Sequence, residues 1–167
     1  MPATPDPIHD LDRIGKRINR IEMRMTLDHE VERTSRAVTA GLAAGGAVLF
    51  MSLHLVWAGS DDLSGWETLF TDELIGTFPA GLAVLAMCGA AVTALVVQRI
   101  WAFRTVLGTA AAFPLLWMLG WALAASDTTG DLEAGPGPWC AMAGTAVVAA
   151  AAHRAESLGQ KHPSAWD

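Results

Sequence analysis

From residue 37 to residue 152 the chain carries only two basic residues, Arg99 and Arg104. The acids of that stretch fall into two clusters, residues 61–73 and 127–133. Everything between these charged points is apolar or small. A helix on a soluble core keeps a polar face for water, and these runs have none. Overall, 52% of the chain is apolar and 17% is charged, against about 25% charged in an ordinary soluble domain. The pattern fits a chain that crosses a lipid bilayer several times.

Four runs read as spans: residues 37–57, 78–97, 103–125 and 138–153. Crossing ~30 Å of hydrocarbon takes ~20 residues of helix. The first three runs reach that length, while the fourth is short and rich in alanine. Under this threading all eleven Lys and Arg residues lie on one side. Seven precede the first span, Arg99 and Arg104 sit between the second and third, and Arg154 and Lys161 follow the fourth. The two opposite loops carry acids and no base. Basic loops stay cytoplasmic, so both termini are expected inside a plasma (inner) membrane. Thirty-six mostly polar residues precede the first run and no small-residue cleavage site follows a short one. That run is therefore expected to remain in the protein.

The predicted fold class is an all-α membrane protein. It is a four-transmembrane-helix bundle, N-in and C-in, with a cytoplasmic N-terminal amphipathic helix over residues 1–36. Residues 37–154 form the membrane domain and residues 155–167 a cytoplasmic tail. Trp57, Trp121 and Trp139 mark the expected outer boundary and Trp101 the inner one, as an aromatic belt. Pro79 and Pro138 suit first-turn positions. Pro114 falls inside the third span and frees the carbonyl of Ala110, which predicts a kink. Small residues recur four apart, as Ala37, Gly41 and Gly45 in the first span and Gly137, Ala141, Thr145 and Ala149 in the fourth. Such rows let helix backbones approach closely where lipid gives no hydrophobic contrast.

Two flanking elements stand out. Ser64 and Glu67 have capping-box spacing, followed by Trp66, Leu69, Phe70 and Leu74 on one helical face. A short outer interfacial helix over residues 64–74 is expected. The acids Asp61, Asp62, Asp72 and Glu73 near it are expected to be solvated rather than to bind a cation. At the other end, Asp6-Pro7 suits a helix start. Leu11, Ile14, Ile18, Ile21 and Met25 then alternate three and four apart, a heptad seam two repeats long. Arg13, Arg17, Arg20 and Arg24 run along its flank. This is the predicted partner-binding face. Residues 1–36 hold seven acids against seven bases, so the face is neutral overall. Nucleic acid, which attracts net positive charge, is not expected as a partner.

Chemistry has few footholds. His54 is the one imidazole expected within the hydrocarbon, His153 lying at the cytoplasmic edge, and Met51 and Cys140 are expected at a similar depth. Together they form the candidate cofactor site, of a kind that suits copper or haem iron. No metal-ligand spacing occurs within a helix, however. The alternative expectation is that His54 stays neutral and bonds a nearby backbone group or Trp. No Gly-rich phosphate loop and no membrane-depth acid appears. Hydroxyls at Ser52, Thr93, Thr109 and Thr145 are expected to bond their own helices. The two cysteines, Cys88 and Cys140, make no disulfide framework. No catalytic residue, metal site or cofactor is expected.

The expected function is that of a non-enzymatic accessory subunit or scaffold acting through the N-terminal helix. Its partners are the lipid bilayer and a membrane or cytoplasmic protein, with a homo-oligomer as a further option. Two alternatives carry different signatures: an oligomeric small-solute transporter or channel using Pro114 and the small-residue rows, and a haem- or copper-binding redox protein using His54.

Overall fold

The computed structural model describes residues 7–58, 63–67, 78–127, 135–161 and 166. Four helices dominate these residues: α1, Pro7–Ser52; α2, Phe78–Val97; α3, Ile100–Asp127; and α4, Pro136–Lys161. A small antiparallel hairpin, β1 (Val56–Ala58) and β2 (Leu63–Ser64), follows α1. Its register pairs Val56 with Ser64 and Ala58 with Leu63, with a bulge between. The helices close a ring, in which α1 packs against α4 and α2, and α3 against α2 and α4.

The expected cytoplasmic helix and first span are one helix of 46 residues. No proline and no glycine falls between residues 16 and 40, so nothing there breaks the hydrogen-bond ladder. The bundle-facing row is Val38, Leu42 and Leu49, all buried. The helix ends at Ser52 rather than reaching Trp57, and residues 53–55 form a turn. Leu53 and His54 donate their amides to Phe50 and Met51, the tighter bonding usual at a helix end.

The expected small-residue contact lies between α1 and α4. A methyl built on Gly45 would lie 2.6 Å from Val148 Cγ2 and 3.0 Å from the carbonyl oxygen of Gly144. One built on Gly144 would lie 2.9 Å from Leu49 Cγ, and one on Gly41 2.9 Å from Ala151 Cβ. Backbone therefore meets backbone at this crossing. Ala141 and Thr145 are buried beside it and Ala149 is half-buried.

The second helix has the expected bounds. It stops at Gln98, whose φ of 50° is left-handed and whose amide bonds Ala94. That is an αL cap with glutamine in the place glycine commonly holds. The third helix starts at once and runs unbroken through Pro114, which is exposed. The fourth helix passes the expected end at His153 and continues to Lys161, with Ala155, Leu158 and Gly159 buried. Nor is the expected tail free. Trp166 is buried, donates its Nε1 hydrogen to Ala155 O at 3.0 Å, and meets the Phe103 ring edge-on at 4.9 Å. Arg104 and Glu156 pair at 3.0 Å between α3 and α4.

Among the described residues three helices are long and apolar enough to cross a membrane, lying in α1, α2 and α3. This points to a membrane protein. The outer faces agree, since Phe50, Val92, Val96, Leu115 and Met118 are all exposed.

Candidate functional site

Every residue from 15 to 30 is exposed, so no other part of the described chain covers this half of α1. Ile18, Ile21 and Met25 keep 49%, 52% and 60% of their surfaces open. A single exposed leucine or isoleucine is ordinary, whereas an aligned row of them asks for a partner. Arg17, Arg20 and Arg24 surround Ile21 at a shallow notch on this row. The backbone of Leu11, Arg13 and Ile14 is helical and in register with it, while their side chains lie outside the described residues. Near the bundle Glu32 pairs with Arg36 one turn on, and the chain begins to bury itself at Val31.

The apolar row and the bundle-facing row occupy different sides of α1. At 3.6 residues per turn they are separated by roughly 130° around the axis. The row therefore does not lead into the packing with α4 and α2, and its direction stays open along the whole helix. Thr39, Ala43, Ala47 and Phe50 continue it and are also exposed.

His54 lies in the turn after α1, not within a helical span, and is exposed. Its Nδ1 lies 3.3 Å from Phe50 O, and its Nε2 lies 3.3 Å from Trp66 Nε1. A tautomer with the proton on Nδ1 satisfies both contacts, donating to the carbonyl and accepting from the indole. Phe50, His54 and Trp66 form one aromatic cluster, with ring centroids 5.2–6.0 Å apart. The histidine thus bonds backbone and tryptophan together, although it is solvated rather than desolvated. Met51 is exposed at the end of α1 and Cys140 half-buried in the first turn of α4. Among the described residues no three His, Cys, Asp or Glu side chains are placed to hold a metal.

The hydroxyls divide. Ser52 bonds Leu49 O, Thr93 bonds Gly89 O, and Thr109 bonds Thr105 O, Val106 O and Met87 Sδ. Thr145 Oγ1 is buried without a hydrogen-bond partner among the described residues.

Two features stand at the end of the bundle that carries the hairpin. The capping box is present: Ser64 donates its amide and hydroxyl to Glu67 Oε2 at 2.8 Å, and the Glu67 amide returns to Ser64 Oγ. These bonds, backbone first and hydroxyl second, hold the Glu67 carboxyl below its ordinary pKa. The rest of the expected interfacial helix, including Asp72 and Glu73, lies outside the described residues, as do Asp61, Asp62 and the Trp121 side chain. Trp57, expected in an interfacial belt, is instead buried at 1% exposure. Its Nε1 donates to Ser52 O at 2.7 Å and its ring meets Trp117 at 5.7 Å. A methyl on Gly65 would come within 2.8 Å of Trp57 Nε1, and one on Gly137 would collide with the indole. Trp57 seals the end of the bundle. Trp139 and Trp101 are exposed.

No model of a known protein family matches the chain, and neither does any curated protein or solved structure.

Proposed function

We propose that the chain is a four-span, non-enzymatic protein of the plasma membrane with both termini in the cytoplasm. It serves as an accessory subunit or scaffold, and its partner docks on the exposed half of α1. The observation that carries this reading is the continuity of α1. One unbroken helix joins the bundle to an apolar row flanked by arginines, on which nothing else in the described chain sits. A rigid rod of this kind transmits the position of a bound partner to the membrane without a hinge.

The fourth span is supported by its packing and by its outer face. α4 fills the α1 groove through small residues, while its Val147 and Trp139 stay exposed where lipid would lie. A helix shielded on one side by neighbours needs less apolar surface of its own.

The test replaces Ile14, Ile18 and Ile21 together with serine. Membrane insertion and yield stay unchanged, and a protein that copurifies with the native chain is lost. An unchanged set of copurifying proteins would remove the docking reading.

A further inference from the structure

Resting on that docking reading, we infer that the occupant of the α1 face is a second copy of this chain, aligned parallel and in register. The apolar row reads as a heptad with Ile18 and Met25 at one seam position and Ile21 at the other, and the same spacing reaches back to Leu11 and Ile14. Such a seam is self-complementary across a twofold axis parallel to α1.

The flanking charges choose the direction. In this register Arg17 precedes the seam residue Ile18 and Glu22 follows the seam residue Ile21. In a parallel pair, a residue of the first kind meets the partner's residue five positions on. That places Arg17 of each helix against Glu22 of the other, an attractive contact made twice. Neither side chain takes part in an ion pair among the described residues. An antiparallel pair would set Arg17 against Arg24, like charge on like. Insertion in the same membrane also holds two copies in the same direction. Arg24, the other base at a position of the first kind, meets His29 of the partner helix in this register, Arg20 lies further round the same flank, and Lys16 points away from the seam.

The row also has a membrane continuation. Thr39, Ala43 and Ala47 are exposed, small and four residues apart on the same side of α1, where a second α1 can approach closely. Asp28 and Glu32 hold the next seam positions and end the apolar row between the two parts, and Glu32 pairs with Arg36 on its own helix. Two heptads are too short to hold a coiled coil in free solution. Tethering to a membrane raises the effective concentration enough to close them.

The experiment uses the full chain in membranes, with Cys88→Ala and Cys140→Ala as background. Single cysteines at Ile18, Ile21 and Met25 are compared with cysteines at Asn19 and Met23. Oxidation is expected to give a dimer band at the three seam positions and little at the other two. Arg17→Glu weakens the dimer about fivefold through the two lost contacts, and adding Glu22→Arg restores it. Equal crosslinking at all five positions, or no rescue by the double exchange, overturns self-pairing. The two readings separate cleanly. If seam substitutions release a different protein while the chain stays monomeric, docking stands and self-pairing falls. If crosslinks follow the heptad and no other protein is lost, self-pairing stands alone.

Discussion

Ser64 and Glu67 close a loop with three hydrogen bonds, and the carboxylate accepts two of them. Those bonds favour the charged form and lower the Glu67 pKa. A lowered folded value means that the cap contributes fully above the ordinary glutamate range. Its contribution fades as pH falls from there through the lowered value. We expect the carboxyl carbon of Glu67 to titrate below an ordinary glutamate by NMR, and Ser64→Ala to move it only part of the way back. The backbone amide, which is the larger cause, remains in that variant. A titration midpoint at the ordinary value would remove the cap. This pair was legible in the sequence because a capping box is local, with its partners three residues apart. Trp57 was not. Its burial depends on Gly65 and Gly137, which a fold must first bring to its side. Hydropathy alone gives a tryptophan at the end of an apolar run to the interface. His54 moved for a related reason: the apolar run continues past Ser52, whereas the helix does not.

At the scale of the element, hydropathy and helix bounds agree where a helix does nothing but span. The second helix, residues 78–97, coincides with its apolar run. The first helix begins long before its run and stops short of its end, and the fourth helix outruns its own. α1 looked like two elements because its apolar row changes side near Val31, but a change of side does not break a helix. α4 passes His153 because Ala155 and Leu158 carry on the buried row begun by Val148 and Ala151. The small-residue contact was legible as a pattern, and the structure adds that Gly144 and Val148 face Gly45. Alanine in place of an open helical glycine gains about 0.5–1 kcal/mol. At Gly89, where nothing lies within 4 Å of an added methyl, Gly89→Ala should give that gain. Gly45→Ala meets backbone as well as Val148, and overpacking of this kind costs about 1–3 kcal/mol. Thermal unfolding in detergent should therefore separate the two substitutions in opposite directions. Equal shifts would mean that α1 and α4 do not meet here.

Across the whole molecule, the charge distribution and the bundle geometry bear on one another. Successive helices are neighbours in the ring, and α2 turns into α3 within two residues, Gln98 and Arg99. A turn that short reverses the chain, so α2 and α3 run antiparallel. Arg99 and Arg104 then lie at the same end as Glu156, which Arg104 reaches at 3.0 Å, and as Trp166 against Phe103. The other end holds Trp57, the hairpin and Gly135, whose amide bonds Trp57 O. The chain thus gathers residues 99–104 and 156–166 at one end, and residues 52–67 and 135–137 at the other. Lysine and arginine occupy the first end and are missing from the described residues of the second. Basic residues near span ends resist translocation, so the first end is expected in the cytoplasm, together with the exposed half of α1. Reporter fusions after Gly65 and Gly130 should read as external, and fusions after Gln98 and at either terminus as cytoplasmic. Moving the bases supplies the stricter measurement. Placing arginines at Ser60 and Thr129 while replacing Arg99 and Arg104 with glutamine should produce mixed topology in the second and third helices. If the reporters stayed uniformly placed in that variant, Arg99 and Arg104 would not be what sets the direction of the second and third helices, and the seven bases that precede the first span would have to hold the bundle alone.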